Sequence, residues 1–343
     1  MCAPLCGERT VLSVLVHIVY SIPAGKAIKV FLSFSYLFLG ASLTFPSTQC
    51  CDTIALISKT LAARQTVRPT GGIGMYNCIG FIGTGNMGGA IATAAAKSGL
   101  AGRILLSNRT PAKAQALAQE LPGGGEVADN AAVARESQLI FLGVKPQMMA
   151  GMLEDIAPVL AQRRDRFILV TMAASLTCEK IRAMAGGTYP VIRMMPNTPS
   201  ALGAGVVQYC GLDVTQEELD AFAALMAPAG LVDPVAESLI DAASAVSGCG
   251  PAFAYLFMEA LADGGVACGL PRDKAMRYAA QMAAGAAQMV LESGKHPGAL
   301  KDAVCSPGGT TIQGVRTLEE RGFRAAAMDA VIAAYEKTLA LAK

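Results

Sequence analysis

The chain has 343 residues, which is long enough for two domains that each bury a core of their own. Hydrophobic residues make up 53% and charged residues 16%, which excludes extensive disorder, and the net charge of +2 gives no reason to expect a nucleic-acid partner. The ten cysteines form no CxxC pair and only two histidines accompany them. We therefore predict no metal site and no disulfide framework, and we expect reduced thiols in a cytoplasmic protein.

The first 74 residues differ from the rest, because they carry two apolar runs at 11–22 and 30–45. Each run is shorter than the roughly 20 apolar residues that a membrane-spanning helix needs. Three interpretations stay open: a targeting sequence, a membrane anchor, or a start codon assigned too far upstream. We prefer the last, because Met75 lies shortly before the first predicted strand and the codons of Gly71 and Gly72 can spell a purine-rich ribosome-binding sequence. We predict that residues 1–74 are an extension outside both domains, mis-assigned or disordered, with a membrane role as the runner-up.

Residues 75–236 alternate between strand and helix patterns. The predicted strands lie at 78–82, 103–107, 139–144, 167–171, 191–194 and 206–209, and the predicted helices at 86–98, 111–119 and 148–160. Thr110 and Pro111 have the residue types of a helix N-cap and first helical position. This alternation predicts an α/β Rossmann-type domain with a parallel sheet covered on both faces.

Residues 237–343 lack strand signals and read as an all-α domain. The clearest helices are predicted at 251–267, 271–291 and 324–341. Ala, Gly and Met occupy several faces of each, and a helix that is apolar nearly all round is buried in a core or an interface. We therefore predict a second domain that forms a homodimer through these helices.

A glycine-rich turn stands between the first predicted strand and the first predicted helix. Such a turn lets backbone N–H groups approach a dinucleotide pyrophosphate at the positive end of a helix. The predicted pyrophosphate-binding residues are Gly83, Thr84, Gly85, Asn86, Met87 and Gly88.

The end of the second predicted strand indicates which dinucleotide binds. NAD sites usually place Asp or Glu there, on the ribose hydroxyls. Here the residues are Ser107, Asn108, Arg109 and Thr110, which include no carboxylate and offer a guanidinium for a 2′-phosphate. We predict NADPH as the cofactor, with NADH also usable.

Three further motifs lie downstream. GVKP at 143–146 closes a buried strand at the edge where open α/β sheets bind ligands, and MPNTP at 195–199 breaks the chain near the same edge. SPGGTT at 306–311 is predicted to be a loop that enters a helix, where free N–H groups and hydroxyls suit a carboxylate.

Together these motifs resemble the pyrroline-5-carboxylate reductase family over residues 75–342. The resemblance rests on GTGNMG, GVKP, MPNTP, SGCGPAF at 247–253 and DAVCSPGGTTIQG at 302–314, in the family's order and spacing. It implies NAD(P)H-dependent reduction of 1-pyrroline-5-carboxylate to L-proline, in dimers that assemble further in some members into decamers. Cys249 and Cys305 depart mildly from the family pattern.

The resemblance also implies roles for individual residues. Thr311 would hydrogen-bond the imine nitrogen and help deliver its proton. The substrate carboxylate would be held by Ser306, Gly308, Gly309 and Thr310, with Asn197 on the substrate side. The residues expected along the cofactor, near its ribose and nicotinamide, are Asn130, Val144, Lys145, Pro146, Met172, Ala173 and Ala174.

Two other functions remain open from the residues. A protonated C=N bond is already electrophilic, so hydride transfer needs orientation more than a strong acid, and the predicted Rossmann domain indeed has no histidine. A lysine-dependent β-hydroxyacid dehydrogenase shares the two-domain layout and would use Lys145 as its catalytic residue. A non-catalytic NADP-binding module is the alternative from another class.

Overall fold

The computed structural model describes residues 11–21, 27–37 and 75–341, and the chain divides into two compact units, Met1–Gly71 and Gly72–Lys343. In the first unit, β1 (Val11–Ser21) pairs antiparallel with β2 (Ala27–Leu37), so that Val11 lies opposite Leu37. The predicted apolar runs therefore coincide in part with two strands. The remainder of residues 1–74 lies outside the described residues. The assignment of the start codon too far upstream of Met75 stays a prediction.

The second unit is built on an eight-stranded sheet with the order β10-β9-β8-β7-β6-β3-β4-β5. Its strands are β3 (Tyr76–Ile82), β4 (Ala101–Ser107), β5 (Glu126–Val127), β6 (Leu139–Leu142), β7 (Ile168–Thr171), β8 (Val191–Pro196), β9 (Gly205–Leu212) and β10 (Gly230–Pro234). All six predicted strands are confirmed. The pattern missed β5 and β10, because β5 has only two residues and β10 contains Asp and Pro, which are rare in strands.

Helices cover both faces of this sheet. They are α1 (Asn86–Ser98), α2 (Pro111–Glu120), α3 (Asn130–Glu136), α4 (Pro146–Gln162), α5 (Cys178–Ala185) and α6 (Gln216–Met226). Successive side chains of β3 enter different cores: Ile79 and Phe81 lie in one, and Cys78 and Ile82 in the other. This alternation is the period of a strand with two buried faces, as the near-continuous apolar runs predicted.

Two strands, β9 and β10, contradict the predicted parallel sheet. β9 runs antiparallel to β8, while its other neighbour, β10, is parallel to it. The residues between β8 and β9 form only a short 3-10 turn, Thr198–Leu202, with its flanks. A parallel crossover needs a dozen or more residues, so this connection can only reverse the chain.

The rest of the second unit is helical. Its helices are α7 (Glu237–Ser247), α8 (Gly250–Ala267), α9 (Arg272–Ser293), α10 (Pro297–Ala303), α11 (Thr310–Glu320) and α12 (Phe323–Leu341). The three predicted helices are confirmed as α8, α9 and α12, with ends within two residues of those expected.

These helices leave much apolar surface uncovered. Ala262 is the only buried residue of α8, whereas Leu256 of the same helix is 69% exposed and Leu291 of α9 is 81% exposed. The stretch Glu237–Ala267 is long and apolar enough to cross a membrane by length and composition. Contiguous apolar surface of this kind marks an interaction face, which agrees with the predicted pairing of subunits.

A buried arginine ties the sheet to the helical region. Arg193 of β8 is 1% exposed, and its guanidinium forms an ion pair with Asp241 of α7 and lies 3.7 Å from a carboxylate oxygen of Glu237. A charge this deeply buried is tolerated only when it is paired.

Two thiols lie at the same junction. Sγ of Cys178, the first residue of α5, is 4.0 Å from Sγ of Cys210 on β9. Their mutual hydrogen bond raises the pKa of Cys178 and lowers that of Cys210. The backbone N–H of Cys178 donates to Glu237 Oε1 over 2.7 Å, so this side chain of α7 also touches α5.

Removing Arg193 should destabilise the fold strongly. Arg193→Leu leaves Asp241 without its partner at a partly buried site, and we expect a loss of about 3–5 kcal/mol in the free energy of unfolding. Urea denaturation at one protein concentration measures it. The matched control is Arg103→Leu, because Arg103 is 47% exposed in its pairs with Glu126 and Glu136 and should contribute little. Equal losses in the two variants would contradict the assigned role of Arg193.

Candidate active site

The turn after β3 depends on close approach between two backbone segments. Gly83 has φ = +96°, in the left-handed region, and its N–H donates to the carbonyl of Ser107 over 2.8 Å. A Cβ at Gly83 would lie 2.7 Å from the backbone carbonyl of Gly143. Any side chain here is therefore disfavoured by both conformation and space.

Gly88 and Gly143 complete this packing. A Cβ on either residue would overlap the carbonyl oxygen of Gly83. The start of α1 can thus lie directly on β3 and on the end of β6 only if all three positions lack side chains. Gly88 was predicted as part of the pyrophosphate-binding turn and Gly143 as part of the GVKP motif, and this contact gives both residues a role in helix–strand packing.

Gly85 differs from these three glycines. It is the N-cap of α1, with φ = −72°, and a Cβ there would meet nothing within 4 Å. The fold itself therefore does not require glycine at this position. No side chain caps α1 and no acidic residue lies in its first turn, so its N–H groups and dipole remain available to an anion. Open space above a free helix N-terminus fits a dinucleotide pyrophosphate.

A cleft of about 880 Å³ extends from this turn along the carboxyl edge of the sheet. Six of the predicted cofactor residues line it: Gly83, Ser107, Asn108, Arg109, Asn130 and Val144. Its other walls include residues that sequence reasoning did not single out, among them Asp129, Gln147, Met148 and Asp155. All four belong to α4 or directly precede α3, and only the folded helices bring them to the cleft.

Hydrogen bonds join the predicted residues around the cleft. Asn108 Nδ2 donates to Thr84 Oγ1 over 2.9 Å, which ties the end of β4 to the glycine turn. Ser107 Oγ donates to Asn130 Oδ1 over 2.6 Å, which ties it to the start of α3. Arg109 is exposed and has no ion-pair partner among residues 75–341, so its guanidinium is available to a ligand.

The carboxylate of Asp129, which lines the same cleft as Arg109, already accepts a hydrogen bond from the backbone. Asp129 is the N-cap of α3, and its Oδ1 accepts from the N–H of Ala132 over 2.6 Å. The residues expected to contact the 2′-phosphate, Ser107 to Thr110, lie at the end of β4 and directly after it, and none of them is a carboxylate.

Two further predicted cofactor segments follow neighbouring strands. Lys145 is the exposed N-cap of α4 with Pro146 at the first turn, just after β6. Met172 and Ala173 directly follow β7, where Ala173 N–H donates to Thr171 Oγ1 over 3.2 Å. β6 and β7 are parallel neighbours, so both segments lie at the carboxyl edge of the sheet.

Asn197 has an internal role where a substrate contact was expected. It is 6% exposed; its Nδ2 donates to the carbonyl of Ser247 over 2.9 Å and its Oδ1 accepts from the N–H of Val206 over 2.9 Å. Beside it, Gln208 Nε2 donates to Ser247 Oγ over 2.6 Å. These bonds make Asn197 a clamp between the sheet and the end of α7 rather than a free substrate ligand.

The predicted substrate loop lies apart from the cleft. Gly308 has φ = +69°, and the N–H of Gly309 donates to the carbonyl of Ser306 over 3.0 Å, which closes a tight turn. α11 then begins at Thr310 with no side-chain cap, and Thr310 and Thr311 are exposed. None of these residues lines the cofactor cleft, and α11 packs instead against α12.

Family models match both parts of the second unit. Residues 237–341 match the model described as pyrroline-5-carboxylate reductase dimerisation. Residues 78–175 match the model described as NADP oxidoreductase coenzyme F420-dependent.

Relatives and solved structures agree with these models. The pyrroline-5-carboxylate reductase of Escherichia coli (strain K12) is 42% identical over 273 residues, which is 78% of this chain and 100% of that protein. That of Pisum sativum is 41% identical over 263 residues, or 76% and 94% of the two chains. The chain belongs to the pyrroline-5-carboxylate reductase family. The structure of the Coxiella burnetii pyrroline-5-carboxylate reductase aligns with a TM-score of 0.71 at 30% identity, over 78% of this chain and 99% of that one.

A second similar structure was solved with NADP bound. The structure of the Plasmodium falciparum pyrroline carboxylate reductase with NADP bound aligns with a TM-score of 0.69 at 30% identity, over 78% of this chain and 98% of that one. Membership of the pyrroline-5-carboxylate reductase family thus confirms the resemblance that the motifs indicated.

Substituting Gly85 should impair ligand binding without harming the fold. Gly85→Ala places a methyl group in empty space where the pyrophosphate is expected, so we expect unchanged thermal unfolding and NADPH binding weakened roughly tenfold or more. The control is Gly88→Ala, whose methyl group overlaps the Gly83 carbonyl and should lower the unfolding temperature. Quenching or enhancement of NADPH fluorescence measures affinity in both. Unweakened binding by Gly85→Ala would place the pyrophosphate elsewhere.

Proposed function

We propose that this protein reduces 1-pyrroline-5-carboxylate to L-proline with NADPH, as its family membership indicates. The observation that carries the proposal is the presence in one chain of a dinucleotide cleft without a carboxylate after β4 and an anion-suited loop within the family's dimerisation region. NAD(P)H, when bound, supplies the hydride. The carbon of the C=N bond accepts it and the nitrogen ends as the protonated secondary amine of proline.

The glycine turn would hold the cofactor by its pyrophosphate. Arg109 would bind the 2′-phosphate of NADPH with its fork of donors, and Asn108, already fixed to Thr84, would keep this segment in place. NADH lacks that phosphate and would bind less tightly. Lys145 and Met172 would flank the cofactor further along the same edge of the sheet.

The substrate carboxylate would lie at the start of α11. The free N–H groups of a helix first turn bind anions, and Gly308 and Gly309 leave the approach open. Thr311 would then place its hydroxyl at the imine nitrogen, where it orients the ring and passes a proton. Asn197, held on both sides, would support this arrangement indirectly as a positioning residue.

Dimerisation would bring the two parts of the site together. The loop at 306–311 is exposed in the single chain and absent from the lining of its own cleft, whereas α8 and α9 present exposed apolar surface. We propose that these helices pair between subunits and that a partner's cofactor cleft faces the loop. The apolar stretch Glu237–Ala267 would then form the contact between subunits, and we expect no membrane partner for this enzyme in the cytoplasm. The larger assembly that we expect is a decamer.

The competing functions have less support. A β-hydroxyacid dehydrogenase using Lys145 leaves the loop at 306–311 without a role, and the relatives at about 40% identity are pyrroline-5-carboxylate reductases. A non-catalytic NADP-binding module would not need that loop either.

Proline formation tests the proposal directly. The purified full chain, given 1-pyrroline-5-carboxylate and NADPH, should oxidise the cofactor and yield an equal amount of L-proline. Thr311→Ala should lower turnover roughly 10- to 1,000-fold, because the hydroxyl at the imine nitrogen is lost, and should leave NADPH binding intact.

The control for this variant is Thr317→Ala, on the same helix, because Thr317 Oγ1 donates to the Gln313 carbonyl within α11. It should retain full activity. No proline from a folded, NADPH-binding protein would reject the reductase assignment, and full activity of Thr311→Ala would reject only the role of that hydroxyl.

Arg109 should determine the preference between the two cofactors. Arg109→Asp removes a charge-assisted contact and adds repulsion toward the 2′-phosphate, so the ratio of kcat/KM for NADPH to that for NADH should fall roughly 10- to 100-fold. Arg135→Asp makes the same change of charge on the exposed side of α3, outside the cleft. An unchanged ratio in the Arg109 variant, or an equal fall in both, would contradict the assignment.

A further inference from the structure

A cluster of three metal-ligating side chains lies away from the cofactor cleft. Cys178 at the start of α5, Cys210 on β9 and Glu237 at the start of α7 place their sulfur and carboxylate oxygen atoms within 4.8 Å of one another. Cys178 is buried and the other two are partly buried. The mechanism proposed above uses none of them.

The spacing of these atoms suits a tetrahedral metal ion. Zinc binds thiolate sulfur at about 2.3 Å, and a tetrahedral angle then separates two sulfur ligands by about 3.8 Å. The observed separation of Cys178 and Cys210 Sγ is 4.0 Å. A disulfide would require about 2.05 Å, so the present arrangement is much closer to a metal site than to a bonded pair.

Charge balance also favours a divalent cation. Two neutral thiols beside one carboxylate carry a charge of −1, and two thiolates with the carboxylate and a +2 ion carry −1 as well. The local charge is therefore unchanged on binding, and Arg193, 3.7 Å from Glu237, continues to balance it.

We propose that Cys178, Cys210 and Glu237 bind one Zn²⁺, with water as the fourth ligand, at the junction between the sheet and the helical region. The chemistry of two thiolates and a carboxylate selects a soft, tetrahedral divalent ion over Mg²⁺ or Ca²⁺. The ion fastens α5 and β9 to α7, so it stabilises this junction and takes no part in hydride transfer. The prediction of no metal site rested on the absence of CxxC pairs and on the presence of only two histidines, whereas Cys178 and Cys210 are 32 residues apart and meet only in the fold.

Cadmium titration of the reduced full chain tests the site, because Cd²⁺ occupies such sites and its thiolate complexes absorb in the ultraviolet. Cys178→Ser and Cys210→Ser should each bind one Cd²⁺ fewer than the wild type, and Zn²⁺ should displace that ion. Glu237→Gln should lower the affinity for that Cd²⁺ ion about tenfold or more. The matched control is Cys268→Ser, since Cys268 is exposed at the end of α8, and it should bind as the wild type does.

A second readout protects the test against a folding defect. Zn²⁺ should raise the unfolding temperature of the wild type and of Cys268→Ser, and should leave that of folded Cys210→Ser unchanged. Cys210 is only partly buried, so its serine variant decides the matter if Cys178→Ser does not fold. Unchanged stoichiometry in both cysteine variants overturns the proposal. The proposal is also overturned if the wild-type protein takes up no ion at Cys178 and Cys210 and its intact mass is two units lower, which indicates a disulfide between these two cysteines.

Discussion

The contact among Gly83, Gly88 and Gly143 is the constraint on which the site depends. Three backbones meet where any Cβ would overlap a carbonyl, and this brings the start of α1 against the ends of β3 and β6. The N–H groups of α1 then face the carboxyl edge of the sheet rather than a packed interior. The cleft, the fixed end of β4 and the exposed Lys145 all take their positions from this approach, so the chemistry of cofactor binding follows from a requirement of packing.

The helical region is constrained differently. Its helices bury few side chains within one chain and leave residues such as Leu256 and Leu291 exposed to water. Burying this exposed apolar surface against another subunit lowers the free energy of the helical region, which agrees with the match to a dimerisation model over residues 237–341. Within the chain the region is held to the sheet by polar contacts instead: the Arg193–Asp241 ion pair and the amide clamp of Asn197.

A separate sheet domain and helical region, joined by polar contacts, fit the proposed reaction. A protonated imine needs a hydride delivered in the right geometry and a counter-charge for its carboxylate, and neither requires a histidine or a metal at the reacting atoms. In the proposed function, the sheet would hold the cofactor and the loop before α11 would bind the substrate carboxylate. Polar contacts at their junction set how the two are oriented, which is why residues far from the chemistry, Arg193 and Asn197 among them, are expected to matter.

The sequence by itself determined six of the eight strands of the second unit's sheet, the glycine turn and some of the residues that line the cleft. Apolar periodicity, the glycine turn and the residues after β4 are local signals, and Gly83, Ser107 and Arg109 all line the cleft as predicted. Only the tertiary structure decided what depends on contacts between distant segments. β9 runs antiparallel because its connection to β8 is short, Asn197 is a clamp because Ser247 and Val206 meet its amide, and Cys178 meets Cys210 across 32 residues. Periodicity reports which face of an element is apolar, but it carries no information about which partner that face, or a polar side chain, will meet.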